Sequence, residues 1–127
     1  MRKSLLRDCL RIAKDKNGGH PETHFRHFTF IIQGNKLVEY GYNRSHTALV
    51  RYGYPAWSKV HSENTAYKKA KGLLNKDIPF EAVNIRLTKS GKLKLSQPCL
   101  CCFNYLKTCG CTTVYFSTNF GFAKLVL

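Results

Sequence analysis

Two short stretches constrain this chain more than anything else in it. The first is VHSENTAYKKA, residues 60–70, which sets His61 and Glu63 one residue apart. The second is SQPCLCC, residues 96–102, in which Cys99 and Cys102 follow Pro98. These are metal-ligand residue types at metal-ligand spacing. Cysteines at i and i+3 share one helix face, so both sulfurs can point at one ion. The positive end of a helix favours thiolate over thiol, as does a metal. Two thiolates and an imidazole make three ligands, and a tetrahedral zinc then keeps its fourth position for water. Such a water has its pKa lowered to about 7. Glu63 is too near His61 in sequence for both to be needed as ligands, and it is well placed to handle the proton of that water. Pro98 suits the first turn of a helix and leaves the following amides free to face the site. A structural Cys/His zinc site is the alternative, but it normally wants a fourth protein ligand and gives Glu63 nothing to do.

The rest of the chain reads as alternating elements. A helix is predicted from about Ser4 to Lys16, ending near Asn17-Gly18-Gly19. HPETHFRH enters a strand, and HFTFIIQGNKLVEYGYN reads as a hairpin about Gly34-Asn35. Residues 44–60 have no clear period and read as one long loop. HSENTAYKKAKGLL fits a second helix with Ala66, Ala70, Leu73 and Leu74 inward. FEAVNIRLTKSGKLKLS alternates at Val83, Ile85 and Leu87, turns at Ser90-Gly91 and resumes at Leu93 and Leu95. CLCCFNYLKTCG suits a third helix, and TTVYFST and GFAKLVL the last two strands. The order α-β-β-α-β-α-β-β predicts an α/β fold with a mixed five-stranded sheet and helices on its faces. The 127 residues, 43% of them hydrophobic, fit a single domain, 1–127, with a real core.

Arg7, Asp8 and Arg11 interrupt the apolar residues of the N-terminus, so it does not read as a signal peptide, and no stretch is long enough to span a membrane. Six cysteines without a secretory signal read as thiols or metal ligands in a reducing, cytoplasmic compartment. Cys9, Cys109 and Cys111 are expected to be core thiols, and Cys101 to face away from the ligand pair. His20, His24 and His27 lack partners at ligand spacing and are expected in a substrate-facing loop or at the surface.

His61-Ser62-Glu63 followed by Pro98-Cys99-Leu100-Cys101-Cys102 matches H-x-E…P-C-x-x-C, the signature of zinc nucleobase deaminases. On that motif and the element order, the chain resembles the cytidine deaminase-like superfamily. The resemblance implies a three-layer α-β-α fold and one Zn²⁺ per chain, held by His61, Cys99 and Cys102. It implies hydrolytic attack at C4 of cytosine. Glu63 then carries a proton first to the ring nitrogen and next to the departing amine, leaving uracil. By the same resemblance Asn43 holds the sugar, and the Ser62 backbone amide contacts the base carbonyl. The family usually has alanine at the position of Ser62. The chain also ends soon after its fifth strand and lacks the further C-terminal helices of the larger polynucleotide deaminases.

The superfamily acts on free nucleosides and nucleotides, on tRNA and on single strands, so charge has to choose. The chain has 21 Lys and Arg against 7 Asp and Glu, a net charge of +14. A polynucleotide rewards many cations, whereas a free nucleotide needs one or two. Arg44, Arg51 and Lys59 approach the site in sequence and are candidate nucleic-acid contacts, with Lys68, Lys69 and Lys71 beyond it. RYGYPAWSK interleaves Tyr52, Tyr54 and Trp57 with the cations, and such rings stack on bases. By resemblance, Tyr115 or Phe120, at the loop after the fourth strand, could stack on the base before the target. The expectation is a cytosine deaminase of single-stranded DNA or RNA. The alternative is a free-nucleotide (dCMP or cytidine) deaminase. A tRNA adenosine deaminase or a non-catalytic zinc module that binds nucleic acid is more remote. No membrane partner is expected, and the sequence carries no signature of oligomeric state.

Overall fold

Side chains alternate along β1 (Arg26–Gln33): Phe28, Phe30 and Ile32 go to one face of the sheet, and Thr29 and Ile31 to the other. β1 belongs to a computed structural model that describes residues 1–22, 25–47 and 59–127. A two-residue turn at Gly34-Asn35, with φ of 59° at both, leads into β2 (Lys36–Tyr42). Positive φ at both positions matches the right-handed twist of the paired strands. β1 also pairs antiparallel with β5 (Phe80–Leu87), whose Val83, Ile85 and Leu87 face the same way as Phe28 and Phe30. β5 pairs in parallel with β7 (Cys111–Thr118), and β7 antiparallel with β8 (Gly121–Val126). The main path of the sheet is β2-β1-β5-β7-β8.

One face is covered by α1 (Lys3–Lys16), through Leu5, Cys9 and Ala13. The other is covered by α2 (Ser62–Ala70) and α3 (Leu100–Thr108), through Ala66, Ala70, Tyr105 and Leu106. Three layers, α-β-α, result. Because β5 and β7 run parallel, the chain has to cross back between them, and α3 makes that crossover. α2 lies directly on β2. A Cβ built on Gly41 falls 2.5 Å from the Ala66 backbone nitrogen, so no side chain can stand between them.

Three expectations need correction. The sheet has a sixth strand: the turn at Ser90-Gly91 occurs as expected, and the run resumes as β6 (Leu93–Lys94), paired antiparallel with Arg86 and Leu87. It occupies the side of β5 that β7 leaves open beyond Asn84. The second helix stops at Ala70, before Gly72, whose flexibility disfavours helix. Leu73 is therefore 65% exposed, while Leu74 still packs against the core. The stretch 44–60 is not loop throughout, because its ends, β3 (Arg44–Thr47) and β4 (Lys59–Val60), form a two-stranded ribbon that delivers the chain to His61.

Candidate metal centre

The face of the sheet under α2 and α3 changes character along its length. β1 and β5 place Ile31 opposite Ala82, Thr29 opposite Asn84, and His27 opposite Arg86. Apolar, neutral polar and basic pairs thus succeed one another on a single face. The first turn of α2 sits over the middle pair, and the first turn of α3 arrives beside it.

His61 is the N-cap of α2, and its backbone N–H donates to Asn64 Oδ1 at 3.3 Å. Cys99 is the N-cap of α3, and its sulfur accepts the Cys102 N–H at 3.4 Å. Pro98 is buried one residue ahead of that cap, outside the helix rather than in its first turn. His61 Nδ1 lies 3.6 Å from Cys99 Sγ and 3.2 Å from Cys102 Sγ, and the three ligand atoms fall within 4.8 Å of one another. A tetrahedral zinc with ordinary bond lengths separates S from N by about 3.6 Å, so the set fits a metal ion with little movement. Cys102 is buried and Cys99 exposed, which leaves one side of the cluster open. The Cys99 thiol is pushed down to about 4, first by its hydrogen bond with the Cys102 side chain, then by His61 and the Cys102 amide. The same contact with Cys99 raises His61 against the opposing effect of burial. Cys99 is therefore held in its ligand form before any metal arrives.

Glu63 is 6% exposed, and burial pushes its carboxyl up. Its Oε2 accepts from Asn84 Nδ2 at 3.0 Å, and its Oε1 lies 3.2 Å from the Ser62 hydroxyl. Ser62 Oγ is in turn 2.7 Å from Thr29 Oγ1, which donates to Asn84 Oδ1 at 2.8 Å. The four side chains close a ring, all of them buried. Ser62 has one hydroxyl hydrogen and two neighbours that want it. With Glu63 ionised, that hydrogen goes to the carboxylate, and the contact between Ser62 and Thr29 has none. With Glu63 protonated on Oε1, every contact in the ring has one. The hydrogen count of the ring thus favours the neutral acid, as burial does, while the bonds from the Glu63 backbone and from Asn84 pull toward the carboxylate.

A cavity of about 360 Å³ opens over His61, Ser62, Glu63 and Cys99, walled by Glu22, Phe25, His27, Asn43, Val60, Ser96 and Gln97. Asn43 is thus brought to the site. Its side chain also ties the wall together: Oδ1 accepts from the His27 N–H at 2.9 Å, and Nδ2 donates to the Phe25 carbonyl at 2.6 Å. His27 Nδ1 is 2.9 Å from Ser96 Oγ, and burial, then the nearby Arg86 charge, push its pKa down to about 4.

Other expected residues lie elsewhere. Tyr115 is on the α1 face, where its hydroxyl accepts from the N-terminal amine at 3.3 Å; the sheet separates it from the metal cluster. Phe120 is 99% exposed at the turn between β7 and β8. Arg44 opens β3, with its guanidinium 5.5 Å from the Tyr42 ring centroid. Lys59 opens β4. Lys69 points back to β2 and pairs with Glu39 at 3.6 Å. Arg51, Tyr52, Tyr54 and Trp57 lie outside the described residues, as does His24. Cys9 and Cys111 are buried thiols raised to about 12 by desolvation. His20 is not at the surface: it is buried, its Nε2 3.2 Å from the His27 carbonyl.

Thr29, Asn84, Phe25 and Ser96 escaped the sequence reading, and His27, expected in a substrate-facing loop or at the surface, lines the cavity from β1. Their signal was there for two of them: Thr29 and Asn84 interrupt the apolar strands FTFII and AVNIRL, and a polar residue at a core position needs a partner. Ser62, expected to act through its backbone amide, enters the ring through its side-chain hydroxyl. Among the described residues, no helix is long and apolar enough to cross a membrane. No family model matches the chain, and no curated protein matches it.

Proposed function

We propose that the protein is a zinc-dependent deaminase that hydrolyses cytosine to uracil, acting on single-stranded DNA or RNA. One observation carries this reading: a buried carboxyl, Glu63, stands on the cavity wall beside a three-ligand cluster whose fourth side is open. A structural zinc site has no use for such an acid. When bound, Zn²⁺ acidifies water at its open position and so supplies the nucleophile.

The chain's own residues do the rest. Glu63 accepts one proton of the attacking water and hands it to the ring nitrogen. It then takes the second proton, from the hydroxyl added at C4, and gives it to the exocyclic amine, which leaves as ammonia as the C4 carbonyl forms. A carboxyl pushed up by burial suits that shuttle, since it can both take and give a proton. Asn84 and Ser62 fix which way its two oxygens face. Asn43 holds the strand segment of Phe25 and His27 that forms the opposite wall. The cavity volume suits one nucleobase, so a polynucleotide has to present its target unstacked. The net charge of +14 supports a polyanionic substrate.

The test is to incubate zinc-loaded protein with a cytosine-containing single strand, its duplex, dCMP and cytidine, and to measure uracil and ammonia. Uracil in the single strand is the expected result. Conversion of dCMP alone would overturn the choice of polynucleotide. Stoichiometric zinc with no ammonia from any substrate would overturn the deaminase reading itself.

A further inference from the structure

A neutral imidazole and two cations form one row across the sheet, on the face that carries the metal cluster. His27 on β1 is the register partner of Arg86 on β5, and Arg86 is the partner of Lys94 on β6. Directly paired residues project to the same side, and Arg86 stands two residues beyond Asn84, which reaches Glu63. Like charges set opposite each other on paired strands repel. No carboxylate relieves this row: among the described residues the ion pairs are Arg11–Asp8 and Lys69–Glu39. Arg86 Nε is buried with no hydrogen-bond partner. Its guanidinium lies over the Phe25 ring, 4.7 Å from the centroid. Phe25 is 61% exposed and walls the same cavity as Glu63.

The cation–π contact of Arg86 with Phe25 is the one gain this arrangement brings to folding. The arrangement leaves a buried donor unsatisfied, two cations side by side and an aromatic ring in water. A phosphate would relieve the second, since its oxygens match a guanidinium and its charge suits a site between Arg86 and Lys94. The ring would then offer a stacking surface to the neighbouring base.

We propose that Phe25, Arg86 and Lys94 form a phosphate-binding subsite that seats a nucleotide phosphate ester beside the cavity. The subsite rests on the reading that the cavity takes a nucleobase. The ester belongs either to a polynucleotide flank or to a free nucleotide, and the test separates the two.

A fluorescent single strand without cytosine is titrated against zinc-loaded wild type, Arg86→Gln and Lys94→Gln, over a range of salt. Arg7→Gln, the same charge change on exposed α1, is the control. Parallel titrations use dCMP. Arg86→Gln is expected to weaken strand binding about tenfold and to flatten the salt slope by about 0.7, one phosphate contact, while Arg7→Gln changes neither. A loss confined to dCMP would assign the subsite to a free nucleotide's phosphate. Wild-type binding of both ligands by Arg86→Gln would overturn the subsite. So would equal losses in Arg86→Gln and Arg7→Gln. Because the strand cannot be deaminated, the readout is independent of turnover: the subsite can fail in an active deaminase and hold in an inactive protein. Thermal melting adds a second readout. Relief of the repulsion should leave Arg86→Gln at least as stable as wild type. If that variant fails to fold, Lys94→Gln carries the same binding test.

Discussion

Cys9 and Cys99 are the same side chain on opposite sides of one sheet, and they end with opposite chemistry. Cys9 sits in the α1 layer among Phe28, Phe30 and Ile85, where burial pushes its thiol up to about 12. Cys99 caps α3, where the Cys102 contacts and His61 bring it down to about 4. The strands between them show the same division residue by residue. Phe28 and Phe30 point into the dry layer, and Thr29, between them, holds the hydrogen-bond ring of Glu63. On β1 and β5, one set of alternate residues makes core, while the other makes core at Ile31 and Ala82 and the polar ring at Thr29 and Asn84. The dry face can be packed for stability alone, because no reacting group looks into it.

This division can be broken from either side. Glu63→Ala should lower the rate of uracil formation most, by about 10²- to 10⁴-fold, the usual contribution of a positioned acid–base. Zinc content by atomic absorption should be unchanged, and an active variant would remove the proton-shuttle role. On the other face, Phe28→Ala should cost about 3–5 kcal/mol in denaturant unfolding, as expected for an emptied core site. The fraction still folded should turn over at the wild-type rate per zinc; a matching loss of turnover would show that the faces are not independent.

Asn84→Ala falls between these. It should cost about 1–3 kcal/mol of stability by leaving buried partners unsatisfied. It should also reduce turnover more than substrate affinity, and equal effects on both would argue against a role in aiming Glu63. The cysteines sharpen the contrast without any substrate. In metal-free protein, Cys99 should alkylate readily at neutral pH and lose reactivity only as the pH falls toward about 4, because its thiolate persists above that value. Cys9 should stay unmodified until the protein unfolds, and peptide mass mapping distinguishes the two. Ser62→Ala should be the mildest change, at about 1 kcal/mol or less. It removes the hydroxyl over which Thr29 and Glu63 compete, and a large loss on unfolding would mean that the ring is stronger than its hydrogen count indicates.

Legibility in the sequence followed the range of the physics involved. The Gly34-Asn35 hairpin, α1 and the last two strands are set by local pattern, and all were expected where they occur. His61, Cys99 and Cys102 were legible because ligand chemistry restricts residue type and spacing so tightly. β6 was not, because a two-residue strand exists only through the space β7 leaves beside β5. Asn84 and Thr29 looked like defects in apolar strands until the register set them opposite each other beneath Glu63. Tyr115, offered by resemblance as a stacking residue near the loop after β7, lies inside β7 and on the α1 face, which the sequence alone did not indicate. The small ribbon at Arg44–Thr47 and Lys59–Val60 has too few residues to show a period.

Gly41 touches no ligand and no part of the cavity wall, yet the Ala66 backbone leaves room there for nothing larger than hydrogen. Since α2 begins at the His61 cap, any side chain at residue 41 would lift the helix that presents both His61 and Glu63. In a saturation-mutagenesis screen for activity, position 41 should therefore be as intolerant as the metal ligands themselves, and a map of essential residues would mark it as part of a site it never meets.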